Sequence, residues 1–285
     1  MEAPKQVEMD AGGYELESVF GPHEALLVKQ TMRGCCQECL GCDAKSEYKV
    51  APFNPQAIDG IRVTEAAMGV PDIMYAIEHS SCCCRVCNPA GRNFQMHVSS
   101  GGDPGGQPIL YYDKPLTCPA FFTVQTDNGG SIDCPCCCCL PQLTPHTPKG
   151  QSIGSESRYY CDMCLCVPKF TYHENNEVLY LIKPETCCGG ACVACNCCSG
   201  KGLVYMPFYF HDPKSEEVLG GKYEDANTPQ IRKVWAGLKK ECCSTADTFA
   251  VVFPPGSSPQ RKAGLLGMTF LIDFVFFEGH QDKRT

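Results

Sequence analysis

The chain has 285 residues, 44% of them apolar and 20% charged, enough for one large all-β or α/β domain or two smaller ones with a real core. A formal net charge of −8 excludes a polybasic mechanism for gripping nucleic acid or anionic lipid. The 25 cysteines do not read as a disulfide framework, because the count is odd and no N-x-S/T acceptor accompanies them.

Residues 1–23 open with "MEAPKQVEMDAGG", which is polar and lacks the apolar core of a secretory signal. This stretch is expected to be a short disordered arm, and the cysteines behind it to be cytosolic and reduced. Short β-type runs follow, punctuated by Gly, Pro and Asn: "ALLVKQ" (25–30), "SEYKV" (46–50), "IMYAIE" (73–78), "NFQMHVS" (93–99), "PILYYD" (108–113) and "FFTVQT" (121–126). A Gly-, Pro-, Thr- and Cys-rich excursion at about 127–157 interrupts them. The runs resume as "KFTYHE" (169–174), "EVLYLIK" (177–183), "LVYMPFYF" (203–210), "QIRKVW" (230–235) and "TFAVVF" (248–253), with a smaller insertion, "KYEDANTP", at 222–229. Turn residues between so many short strands predict an antiparallel barrel or sandwich.

One helix is strongly signalled, at about 259–278. Ser258 is placed to cap it, Pro259 to open it and Gly279 to stop it. Beyond Lys262 it is apolar on nearly every side, so protein or lipid must surround it. Its apolar run, 263–277, is shorter than the roughly 18 to 20 residues that span a bilayer, and Asp273 lies inside it. A sheet wrapped around a terminal helix satisfies both signals. Residues 24–280 thus read as a single barrel domain, with 281–285 a polar tail.

The thiols are clustered, and three readings compete for them. Cys36 with Cys39 and Cys192 with Cys195 have the C-x-x-C spacing by which two pairs clamp a structural zinc. Five thiols at Cys134, Cys136, Cys137, Cys138 and Cys139 exceed what one zinc needs. In a loop beside prolines they are acceptors for S-acylation, each chain contributing about 0.8 kcal/mol per buried CH2. A low-complexity tract without function is the third possibility. The "GQSIG" at 150–154 matches a hydrolase elbow in letters but has no strand before it or helix after it, so it reads as a turn. No phosphate loop is present. The chain is not expected to be an enzyme.

Taken together, "ALLVKQ", "CPCCCC", "PKFT" (168–171), "CVACNCC" (192–198), "IRKVWAG" (231–237), "ADTFAVVFP" (246–254) and "KAGLLGMTFLIDFVFFE" (262–278) resemble the phospholipid scramblase family, in the family's order. The resemblance runs from about Ala25 to Glu278. It implies a mainly β, tubby-like, twelve-stranded antiparallel barrel closed around a central hydrophobic C-terminal helix. It also implies that "CPCCCC" is a palmitoylation tract carrying covalent palmitate. The implied activity is calcium-stimulated, ATP-independent movement of membrane phospholipids between leaflets, from the cytoplasmic face of the plasma membrane or an endomembrane, with a nuclear pool.

Two departures qualify these expectations. The arm is too short for the family's proline-rich adaptor segment, so protein partners of that kind are not expected, nor is nucleic acid. Where the family's calcium segment begins with two aspartates around one residue, this chain has Thr245 and Asp247. Asp247 with the Ser244, Thr245 and Thr248 hydroxyls predicts weak calcium binding at best. Arg232 and Lys233 fall in a segment that serves nuclear import in some members; the structural alternative is an edge strand with Trp235 packed inward. Two rival functions stand beside scrambling: a lipid-tethered, partner-binding module that shuttles to the nucleus without transport, and a zinc-stabilised Cys-rich structural protein.

Overall fold

The structure, a computed structural model, describes residues 11–31, 45–59, 62–81, 91–117, 122–125, 131–134, 140–160, 167–187, 192–193, 207–223, 225–234 and 247–278. Twelve strands form the barrel: β1 (Ala25–Gln30), β2 (Glu47–Pro52), β3 (Met74–His79), β4 (Phe94–Ser100), β5 (Pro108–Lys114) and β6 (Gln142–His146) in the first half. The second half is β7 (Ser155–Tyr160), β8 (Lys169–Glu174), β9 (Glu177–Pro184), β10 (Pro207–His211), β11 (Gln230–Lys233) and β12 (Thr248–Val252). Each strand pairs antiparallel with its neighbours in sequence, and β12 returns to β1 in the register Ala25↔Val252 to Lys29↔Thr248. Closure leaves the sheet no exposed edge.

Alternation along each strand sends one set of side chains inward: Leu26 and Val28, Tyr48 and Val50, Met74 and Ala76, Phe94, Met96 and Val98, and so on around the wall. Those side chains alone do not fill the lumen. A barrel of about eight strands is just filled by its own side chains, and the interior widens with strand number. The remaining space is taken by a third helix, after α1 (Ala11–Phe20) and the one-turn α2 (Glu65–Met68): α3 (Pro259–Ile272), which continues as a π-helical turn from Asp273 to Glu278.

Ser258 caps α3, its Oγ accepting from the Arg261 N–H at 3.2 Å, with Pro259 at the first helical position as expected. Every residue from Lys262 to Ile272 is buried. Leu265, Leu266, Met268, Phe270, Leu271 and Ile272 have no exposed surface, and each such side chain contributes about 1.5 to 3 kcal/mol.

The helix fits because two of its residues lack a side chain. A Cβ on Gly264 would lie 2.5 Å from the Tyr172 hydroxyl and 2.8 Å from Ser155 Oγ. One on Gly267 would lie 2.6 Å from the Tyr112 ring. The wall reaches back to the helix there: Tyr112 Oη donates to the Ala263 carbonyl at 2.6 Å and Ser157 Oγ to the Gly264 carbonyl at 3.3 Å.

Several expectations need correction. Residues 11–20, expected to be part of a disordered arm, form helix α1 (Ala11–Phe20). Leu16 and Phe20, four residues apart on one face, bury themselves against the core, and Lys262 Nζ donates to the Phe20 and Gly21 carbonyls at 3.2 and 3.1 Å. The excursion at 127–157 contains β6 and the start of β7, so part of it is barrel wall. The run "FFTVQT" supplies a strand, Phe122–Gln125, but in a separate hairpin with Ser131–Cys134. β11 is paired on both sides and is not an edge strand. The "GQSIG" stretch is a turn, as expected: Gly150 N–H donates to the Thr147 carbonyl at 2.9 Å and Thr147 N–H to that of Gln151 at 2.7 Å. No strand-to-helix elbow forms there.

The close approach of α3 to β5 is testable. Gly267→Ala is expected to cost about 1 to 3 kcal/mol by overpacking against Tyr112, lowering the melting temperature by about 2 to 4 °C per kcal/mol. Gly105→Ala, where an added Cβ meets nothing within 4 Å, is expected to melt with the parent. Equal melting of the two variants would show that α3 is not packed against the wall at this distance.

Candidate functional site

The up-and-down path sorts the chain between the two ends of the barrel. Odd-numbered strands run one way and even-numbered strands return, and α3 follows the odd ones from a near end to a far end. Six connections are anchored at the far end: 31–46, 80–93, 115–141, 161–168, 185–206 and 234–247. All 25 cysteines of the chain fall in these six segments. The near-end connections carry none. The clusters scattered along the sequence therefore share the end of the barrel at which their segments are anchored.

The far end is also where charge enters the barrel. Glu78 and Lys114 sit at the last inward positions of β3 and β5, at 0% and 1% exposure. Arg92, just before β4, grips Glu78 with both prongs, Nε to Oε1 at 2.8 Å and Nη2 to Oε2 at 3.0 Å. Ser46 N–H and Ser80 Oγ complete the shell around the carboxylate. Burial alone pushes the Glu78 carboxyl up, but the Arg92 bonds and charge, with Ser80 and Ser46, hold it below its ordinary value. Lys114 Nζ donates to the Arg92 carbonyl at 2.8 Å. Burial, joined by the Arg92 charge and opposed by Glu78, lowers its pKa to about 8.

This collar clamps the departing helix. The Arg92 guanidinium lies 4.8 Å from the Phe274 ring centroid, and Phe274 packs on Phe94 at 4.4 Å. Asp273, the charge expected inside the helix, is 1% exposed and accepts from Tyr48 Oη at 2.7 Å. A donor thus meets the one carboxylate that an apolar helix carries into the core. Across the lumen, Lys233 pairs with Asp247 at 2.5 Å and lies 5.0 Å from the Phe277 ring.

The candidate residues read from sequence fall out as follows. Asp247 and Thr248 are buried, and the Asp247 carboxylate is already bound by Lys233. A cation there has to compete with that ammonium. Thr245 and Ser244 lie outside the described residues, as do Cys36, Cys39, Cys195 and Cys136 to Cys139. Cys134 ends the hairpin opposite Phe122, and Cys192 pairs in register with Cys187 in a two-strand ladder. Arg232 is 3% exposed within β11, beside the ion-paired Lys233. Among the described residues no three His, Cys, Asp or Glu are grouped to hold a metal. Among them, too, no helix is long and apolar enough to cross a membrane. The collar does not stand out in sequence, although the alternation Met74, Ala76, Glu78 and Leu110, Tyr112, Lys114 places both charges inward.

Comparison with known proteins points to one group of relatives. A family model described as Scramblase matches residues 217–279, from the β10–β11 connection through the end of the helix. Phospholipid scramblase 1 of Mus musculus is 29% identical over 219 residues, 75% of this chain and 54% of that protein. Phospholipid scramblase 2 of Bos taurus is 30% identical over 209 residues, 72% of this chain and 57% of the relative. Phospholipid scramblase family member 5 of Homo sapiens is 25% identical over 208 residues, covering 72% and 62%. The chain spans just over half the length of the first of these relatives. No solved structure matches.

The buried lysine gives the fold a pH signature. Between about pH 8 and 10 an unfolded lysine still holds its proton while Lys114 has released it, so stability rises with pH. Lys262, lowered by burial, adds the same sign. Above about pH 10 the buried Tyr112 and Tyr172, held far above the ordinary tyrosine value by burial, reverse it. Urea unfolding from pH 7.5 to 10 is expected to show the rise, and Lys114→Met to flatten it. A parent whose stability is level or falling over that range would contradict the collar as described.

Proposed function

We propose, the chain being a relative of the phospholipid scramblases, that it moves phospholipids between membrane leaflets without ATP. The observation that carries this reading is that all 25 cysteines lie in connections anchored at the barrel end from which the scramblase-matched helix departs. α3 is enclosed by the barrel, so attachment to a bilayer is assigned to the thiols. Palmitoyl chains on Cys134 and Cys136 to Cys139 hold the far end against the cytoplasmic face of the plasma membrane or an endomembrane. One acyl chain binds only marginally, and two or more anchor stably. With the acyl chains removed, an acidic protein has no remaining grip, and a nuclear pool follows from release.

Calcium is a weak regulator in this scheme. The hydroxyls near Asp247 are poor ligands, and the carboxylate must leave Lys233, so affinity is set at about 10⁻⁴ to 10⁻³ M. The same arrangement favours a second use of the thiols. The pairs Cys36/Cys39, Cys84/Cys87, Cys161/Cys164 and Cys192/Cys195 hang from four far-end connections. Two such pairs from different loops supply a tetrahedral zinc site that ties loops together.

One panel of measurements tests these points. Acylated protein in liposomes is expected to accelerate exposure of a dithionite-accessible lipid without ATP, with calcium acting only near millimolar. Replacing Cys134 and Cys136 to Cys139 together with Ala is expected to remove the acyl label and shift the protein to the soluble fraction. Unchanged lipid exchange beside a protein-free control would leave a tethered module without transport. Unchanged partitioning of the cysteine variant would overturn the acyl anchor. Metal analysis of chelator-free protein reads the zinc site directly.

A further inference from the structure

A cleft of about 550 Å³ opens at the far end between the start of β4 and the ends of β3 and β5. Its lining includes Lys45, Ser81, Asn93, Asp113, Lys114 and Leu116. Clefts of this size hold small polar molecules with a few convergent groups. The floor is built around Lys114, whose side chain is almost wholly buried. An ammonium has three N–H donors, and among the described residues this one gives a single hydrogen bond, to the Arg92 carbonyl, and otherwise lies 5.7 Å from the Phe94 ring centroid. The carboxylate that acts on its charge, Glu78, is already taken by both prongs of Arg92 and by Ser46 and Ser80. A buried cation with donors to spare, facing a cleft, is best satisfied by an anion from outside.

The other groups narrow the chemistry. Lys45 adds a second positive charge from the exposed rim. Asp113, whose Oδ1 accepts from Gln95 Nε2 at 3.2 Å, sets one carboxylate among them, so the cleft is dipolar and not uniformly basic. Leu116 on the lip is 65% exposed, a large apolar side chain left in solvent. From Leu116 the chain runs on toward the thiol tract at Cys134 to Cys139 within the same connection.

We propose that this cleft holds the phosphate-bearing headgroup of a membrane phospholipid, the phosphate against Lys114 and Lys45, a zwitterionic headgroup's ammonium against Asp113, and Leu116 in the interfacial hydrocarbon. It rests on the reading that the far end lies on the membrane, but not on transport. A headgroup held at the barrel's end leaves its acyl chains in the bilayer, which positions a lipid without extracting it.

The full chain is titrated with glycerophosphoethanolamine and, separately, with inorganic phosphate, each followed by calorimetry. Flotation with phosphatidylcholine vesicles containing phosphatidylethanolamine reads the membrane arm, using unacylated protein. The soluble headgroup is expected to bind saturably, and Lys114→Met to weaken it about tenfold, the loss of one charge-assisted bond. Lys45→Gln, at an exposed position where folding is not at stake, is expected to weaken it severalfold and keep the parent's melting temperature. Binding is expected to fall as pH rises through about 8, where Lys114 loses its proton beside Arg92, Glu78, Asp113, His79 and Lys45. Headgroup and vesicle binding lost together in the variants support the site. Absence of headgroup binding, or binding indifferent to both variants, overturns it. Phosphate binding with no affinity for headgroup or vesicles overturns the lipid assignment. A protein that binds the headgroup but exchanges no lipid fails as a scramblase and keeps this cleft.

Discussion

A closed sheet of twelve strands encloses more space than its own side chains fill, and the rest of this structure follows from how that space is occupied. The occupant is a single helix, capped by Ser258 and buried from Lys262 to Ile272. Its diameter, about 10 to 12 Å with side chains, has to match what the wall leaves free. Gly264 and Gly267 thin the helix where Tyr172 and Tyr112 press closest, and serines on β7 thin the wall. At its two ends the helix is held by charge: Glu174 forks onto Arg261 at 2.7 and 2.8 Å as it enters, and the Glu78–Arg92 and Lys233–Asp247 pairs flank it as it leaves.

A helix used as core is not free to be an anchor. Asp273 is tolerable there because Tyr48 reaches it, whereas the centre of a bilayer offers no such donor. Under the proposed function, membrane attachment falls to the loops, and the meander decides which ones. Because every odd strand ends at the same side, clusters of cysteine more than two hundred residues apart in sequence, such as Cys35 and Cys243, belong to connections anchored at one end. Strand parity is what gives the molecule two different ends.

Much of the wall is legible in sequence, and the misses have physical causes. "ALLVKQ" and "KFTYHE" match β1 and β8 at both ends because their inward residues are large and apolar. β6 and β7 escape a strand reading because "QLTPH" contains a proline and "SESRYY" offers Ser155 and Ser157 to the lumen. Those small polar residues are what lets α3 approach, so the feature that hides the strand is the one that seats the helix. α1 carries two glycines and little propensity, and only its burial against Lys262 and the core accounts for it. The thiol clusters are visible as motifs, but their common end emerges only from the strand count. The collar stays hidden because charged residues at the last inward positions of β3 and β5 resemble ordinary strand ends.

Truncation after Gly256 tests the central claim most directly. The buried side chains it removes are worth about 2 to 5 kcal/mol each, against a total stability of about 5 to 15 kcal/mol for a typical domain. An enclosed helix predicts an insoluble or unfolded product with no cooperative melt by circular dichroism. A soluble, β-rich, cooperatively melting product would mean that the helix hangs outside the barrel as an anchor, and would contradict a wall built around it.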